Sequence, residues 1–190
     1  LKIMNQPPSY YDIDQGTLLN KLCLEYEISN FYLEKMSSLI EYKIVFLIDD
    51  SGSMNTPIEG EHATRWDELK FITNIALKIA CIFNESGLDI HFLNRGSVNH
   101  VTNFNQLNDF FSKKPFGRTP LCQVTQKIFN QYQDLSDPLL LIIATDGVPT
   151  DLNGYPNTKE FQKIIKQKSP NTYISFLACS DQDDDIKYLN

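Results

Sequence analysis

Two stretches of the chain are apolar without interruption: Ile44-Val45-Phe46-Leu47-Ile48 and Leu139-Leu140-Leu141-Ile142-Ile143. Unbroken β-branched and leucine-rich runs of this length predict strands covered on both faces, as in a parallel sheet. Thr172–Cys179 reads as a third buried strand, and Leu88–Leu93 alternates and also reads as a strand. After the turn Asn94-Arg95-Gly96, Val98–Val101 predicts a short antiparallel edge strand. Helical spacing appears elsewhere. Trp66, Leu69, Phe71, Ile72, Ile75, Ala76, Ile79, Ala80 and Phe83 predict a helix over 66–83, with Thr64 as its candidate cap. Leu121–Tyr132 follows Pro120, which suits a first helical turn, and 158–168 is helical. Phe104–Phe111 predicts a short helix. A looser stripe from Leu18 to Leu39 predicts a helix over 17–40 with Thr17 as N-cap; residues 1–16 have no apolar period and read as a tail.

The resulting order is helix, then strand, helix, strand, short strand, helices, strand, helix, strand. Such alternation predicts an α/β fold, a doubly wound and mostly parallel sheet with helices on both faces and an additional N-terminal helix. The expected division is a tail over 1–16, a helical extension over 17–40 and one α/β domain over 41–190. No internal repeat interrupts it.

Charge narrows the function classes. The 190 residues carry 17 Lys+Arg against 24 Asp+Glu, a net charge of −7. That balance argues against a nucleic-acid partner, because nucleic-acid affinity comes largely from cations on phosphate. No apolar run approaches the roughly 20 residues a bilayer span requires. No basic region followed by an apolar segment opens the sequence, so no signal peptide is expected, although the first residue is Leu. Cys23, Cys81, Cys122 and Cys179 are far apart and form no Cys-x-x-Cys pair. They read as reduced thiols and point to an intracellular, cytoplasmic location, an extracellular one staying open.

Candidate chemistry lies at the strand ends. Both aliphatic runs stop at an acid, Asp49 and Asp146. In open α/β sheets ligands bind beyond the carboxyl ends of strands, where the winding reverses. If these strands are neighbours there, two carboxylates converge, and like charges in one crevice call for a cation. Ser51 and Ser53, at i and i+2 on a turn containing Gly52, can face the same side as Asp49, and Thr119 sits at a loop edge before Pro120. The five residues offer only hard oxygen donors. That set favours Mg²⁺ or Mn²⁺, with Ca²⁺ behind them, over Zn²⁺ or Cu²⁺.

Asp49-x-Ser51-x-Ser53, then Thr119, then Asp146-Gly147, in this order and at these strand ends, resembles the von Willebrand factor type A domain over about residues 41–180. Thr64-Arg65-Trp66 and Leu88–Asn94 resemble intracellular members of that family. The resemblance implies a metal-ion-dependent adhesion site at Asp49, Ser51, Ser53, Thr119 and Asp146. It also implies a sheet order 3-2-1-4-5-6 and a non-catalytic role, in which the bound ion captures a Glu or Asp carboxylate of a partner protein. No sixth strand or final helix is evident after Cys179.

Other readings stand beside it. The same carboxylates could serve a metal-dependent hydrolase, or the ion could only stitch loops together. Ile48-Asp49-Asp50-Ser51-Gly52 faintly resembles the aspartic-protease loop and a phosphatase loop, but lacks the second copy of the first and the second acid of the other. No Gly-x-Ser-x-Gly elbow and no phosphate-binding Gly-rich loop occurs in the sequence. Asp50 is read as facing solvent or capping its loop, and Arg118 as neutralising a carboxylate, gripping an acidic partner or lying in solvent. Trp66 is read as core, and no His as a ligand. The acids Asp181, Asp183, Asp184 and Asp185 read as a solvated helix start or a second cation site. Pro7-Pro8-Ser9-Tyr10 reads as a lead-in to the first helix or a ligand for a WW-type domain.

Overall fold

The computed structural model describes residues 10–180 and 187–189. Five strands form one sheet: β1 (Lys43–Ile48), β2 (Leu88–Phe92), β3 (Gly96–Val101), β4 (Leu139–Thr145) and β5 (Thr172–Ala178). Their spatial order is β3-β2-β1-β4-β5. All pairings are parallel except β2 with β3. The helices are α1 (Tyr10–Glu25), α2 (Leu33–Met36), α3 (Arg65–Phe83), α4 (Asn108–Phe111), α5 (Leu121–Gln131) and α6 (Thr158–Lys166). This is the expected doubly wound, Rossmann-like α/β architecture. No sixth strand occurs among the described residues. No helix among them is long and apolar enough to cross a membrane.

The alternation of side chains along β1 builds two cores. Ile44, Phe46 and Ile48 face α3, where Trp66, Leu69, Leu77 and Ala80 meet them. Val45 and Leu47 face the other way, onto Leu121, Cys122 and Ile128 of α5 and Phe161 and Ile164 of α6. Leu47 is fully buried at the sheet centre, and burying a side chain of this size stabilises by about 2 kcal/mol. A third, smaller cluster of Leu19, Cys23 and Ile82 docks α1 on the outside of α3.

The amino-terminal prediction needs correction. The helix begins by Tyr10 rather than at Thr17, which lies inside α1, and it ends at Glu25 instead of running to 40. The stop has a local cause. Glu27 takes a left-handed φ of 54°, and the Ile28 N–H reaches back to the Cys23 carbonyl at 2.8 Å, a Schellman-type closure. Residues 30–41 then fold as short turns around α2. Pro7–Ser9 and the acids Asp181, Asp183, Asp184 and Asp185 lie outside the described residues, so neither the WW-type motif nor the acidic end is addressed by the structure. Residues 187–189 form one 3-10 turn.

The chain reverses its winding between β1 and β4, since β2 and β3 lie on one side of β1 and β4 and β5 on the other. The crevice that this arrangement opens at the carboxyl edge is bounded by the residues following Ile48 and Thr145.

Candidate functional site

The acids that follow β1 and β4 reach that crevice one residue out of register, Asp49 level with Thr145 and Asp146 one position beyond. Ile48 pairs with Ala144, and the Asp49 N–H extends the ladder by donating to the Ala144 carbonyl at 2.9 Å. Asp49 is fully buried. Its Oδ1 accepts the Ser51 N–H at 2.9 Å and its Oδ2 accepts the Thr145 hydroxyl at 2.6 Å. A 3-10 turn over Gly52–Asn55 then folds back, setting Ser51 Oγ 3.1 Å from Ser53 Oγ. Ser53 Oγ donates to Asp146 Oδ1 at 2.8 Å. Four of the five residues singled out in the sequence therefore form one hydrogen-bonded chain, Asp49–Ser51–Ser53–Asp146. Ser53 is exposed, so the cluster opens to solvent on that side.

Thr119 is placed differently. Among the described residues its hydroxyl makes no hydrogen bond to the other four. Its backbone fixes the neighbouring loop instead: the N–H donates to Thr150 Oγ1 at 3.1 Å and the carbonyl accepts the Thr150 N–H at 2.9 Å. The loop is fastened to the Ser-containing turn by the Gly52 N–H on the Gly117 carbonyl, 3.1 Å, and by the Phe116 N–H on the Asp50 carbonyl, 2.9 Å. Gly117 has φ +89°, and a Cβ there would lie 2.5 Å from Asn94 Oδ1, so this close approach requires glycine. Arg118 reaches across the same loops, its Nη1 donating to the Leu152 carbonyl and its guanidinium lying against Gly154.

Asp50 overturns its expected solvent position. It is fully buried and turned away from Asp49, accepting the Asn94 N–H at 2.8 Å and Asn94 Nδ2 at 3.1 Å on Oδ1. Arg95 Nε lies 3.1 Å from Oδ2, an ion pair whose angle departs from a hydrogen bond. Arg95 in turn donates to the carbonyls of Phe110, Lys113 and Lys114. Asp50 thus ties the β2–β3 turn to the site loop.

Sequence reasoning missed two participants. Thr145, the last residue of an otherwise aliphatic strand, caps Asp49. Arg65, the first residue of α3, places Nη1 2.9 Å from Asp146 Oδ2 and Nη2 3.0 Å from Ser180 Oγ. A signal for Arg65 was available: an arginine at a helix N-terminus opposes the macrodipole and so suggests a carboxylate partner elsewhere.

The local field is negative. Burial pushes Asp49 up to about 7, the charge of Asp146 adding to it, while Ser51 and Thr145 hold it down. The Cys179 thiol is pushed up to about 12 by burial and then by Asp49 and Asp146. The Tyr188 phenol, whose hydroxyl donates to the Gly147 carbonyl at 3.1 Å, is raised by burial and by the same acids. Burial likewise raises Asp50, against the pull of Asn94 and Arg95.

No group of three or more His, Cys, Asp or Glu suited to a metal ion occurs among the described residues. The cluster here has a different composition, two carboxylates with serine hydroxyls between them. Such a donor set fits a hard divalent cation. No family model matches this chain, and no curated protein matches it.

Proposed function

We propose that the chain is a non-catalytic protein-interaction module of the von Willebrand factor type A kind. In this reading Asp49, Ser51, Ser53 and Asp146, with Thr119 at the facing loop, hold Mg²⁺ or Mn²⁺ ahead of Ca²⁺. The ion supplies a positive charge with a coordination position left for a Glu or Asp carboxylate of a partner protein. The chain's own part is to gather neutral hydroxyls between two acids, so that the cation stays under-neutralised and attractive to a further anion.

The observation that carries the reading is the hydrogen-bonded chain from Asp49 through Ser51 and Ser53 to Asp146, located where the winding reverses. The matching order of residues in the sequence adds to it. The four cysteines are free, three of them buried, which suits a reducing intracellular compartment. The net charge of −7 suits a protein partner better than nucleic acid.

A pull-down from cell extract tests it, run with Mg²⁺ and with chelator, on wild type and Asp49→Ala in parallel. The expected result is a protein retained by wild type in Mg²⁺ and lost in both other conditions. The same proteins retained in chelator would contradict the reading.

A further inference from the structure

Arg65 sits where helix electrostatics disfavours it. The first turn of α3 carries the positive end of the macrodipole, which Asp67 and Glu68 complement and Arg65 opposes. Its placement is nonetheless tightly framed. Thr64 and Asp67 form a capping box, and the Arg65 N–H donates to the Thr56 carbonyl at 3.0 Å. This frame aims the guanidinium at Asp146 Oδ2, 2.9 Å away, with the arginine side chain 13% exposed and that of Asp146 fully buried. Asp146 Oδ1 is meanwhile held by Ser53, one of the hydroxyls of the site.

We infer that Arg65 is the site's built-in counter-cation, and that a divalent ion entering the Asp49–Asp146 cluster displaces its guanidinium from Asp146. The inference rests on the metal-site reading above. Arg65 is the cation paired with Asp146 among the described residues, and a buried carboxylate stripped of its paired cation is costly, so Asp146 needs one cation or the other. Two cations beside the same carboxylate repel, so both together are disfavoured. Space for the move is present. A cavity of about 190 Å³ adjoins Arg65 and is walled by Glu59 and Glu68, two carboxylates able to receive a guanidinium that leaves Asp146. Arginine suits this exchange because its planar fork pairs readily with any carboxylate it reaches. Arg65 is thus a positioning residue that sets how tightly the ion is held.

Mn²⁺ titration by calorimetry, together with melting in chelator and in saturating Mn²⁺, tests this on wild type, Arg65→Gln and the double variant Glu59→Gln/Glu68→Gln. Arg65→Gln is expected to bind Mn²⁺ at least about tenfold more tightly, equivalent to about 1.4 kcal/mol. It should melt lower than wild type in chelator and gain more from Mn²⁺. The double variant, deprived of the receiving carboxylates, should bind Mn²⁺ more weakly than wild type. If wild type binds Mn²⁺ and Arg65→Gln binds it equally or less tightly, the displacement is wrong and the metal site stands. If no variant binds Mn²⁺, the metal site itself fails. Should Arg65→Gln be unfolded in chelator, recovery of its fold by Mn²⁺ supports the exchange, and persistent unfolding overturns it.

Discussion

The two edges of the sheet handle buried charge in opposite ways. Near the amino-terminal edge, Asp89 on β2 is fully provided for. Lys43 Nζ lies 2.7 Å from its Oδ2, the Tyr132 hydroxyl donates to the same oxygen at 2.8 Å, and the His100 N–H donates to Oδ1 at 2.8 Å. Burial pushes Asp89 up, but these three donors together draw it below the usual carboxylate range. At the carboxyl edge, Asp49 is more deeply buried and, among the described residues, has no cation within ion-pair distance. Burial and Asp146 leave it well above that range. One edge is a structural network complete in itself. The other, among the described residues, sets two buried carboxylates, Asp49 and Asp146, beside one paired cation, Arg65, an arrangement that an external cation would relieve.

Breaking the two edges should therefore give different results. The largest effect is expected for Asp89→Ala, which strands the partly buried Lys43. It should cost about 3 kcal/mol in urea unfolding, equally with Mg²⁺ and with chelator. Asp49→Asn should behave otherwise. In chelator it removes a buried charge that lacks an ion pair, its amide oxygen keeps the Ser51 N–H and its amide nitrogen can donate to the Thr145 hydroxyl, so its stability should stay within about 1 kcal/mol of wild type. Its gain from Mg²⁺ should vanish. A large metal-free loss for Asp49→Asn would erase the contrast between the edges.

Thr64→Ala removes the cap that frames Arg65 and should cost about 1 kcal/mol by thermal unfolding. It should alter the response to Mg²⁺ without disturbing the Asp89 network. The smallest effect concerns His91, buried on β2 beside Tyr132. Burial holds its pKa below 6.5, with Lys127 acting the same way and Asp89 opposing. The unfolded chain therefore takes up a proton that the folded one resists. The corresponding stability is complete above about pH 6.5 and is lost as pH falls below it. Between pH 7 and pH 5 the melting temperature of wild type should therefore fall relative to that of His91→Gln, the proton that Asp49 takes up in the same range being common to both.

What the sequence disclosed follows from how local each feature is. The strands β1 and β4 were readable because aliphatic runs ending in acids are contiguous, and Thr64 because a capping box spans three residues. The serine turn was readable for the same reason. Arg65 and Thr145 were not, since their partners lie 81 and 96 residues away and only the sheet order brings them together. The solvent position read for Asp50 fails and the loop-capping one holds, but the loop it caps, the β2–β3 turn, lies 44 residues distant and is not local to the sequence. The overlong first helix reflects an apolar stripe that continues past a left-handed Glu27, a conformation that glutamate does not announce.

The central claim is that the oxygen atoms of Asp49, Ser51, Ser53 and Asp146 together hold one divalent ion. Electron paramagnetic resonance of Mn²⁺ titrated into the protein measures this directly, because bound ions lose the six-line signal of the free ion. The expected outcome is saturable loss of signal at one equivalent for wild type, much weakened in Ser51→Ala. A signal that grows in proportion to added Mn²⁺ from the first aliquot, identical in both proteins, would contradict it.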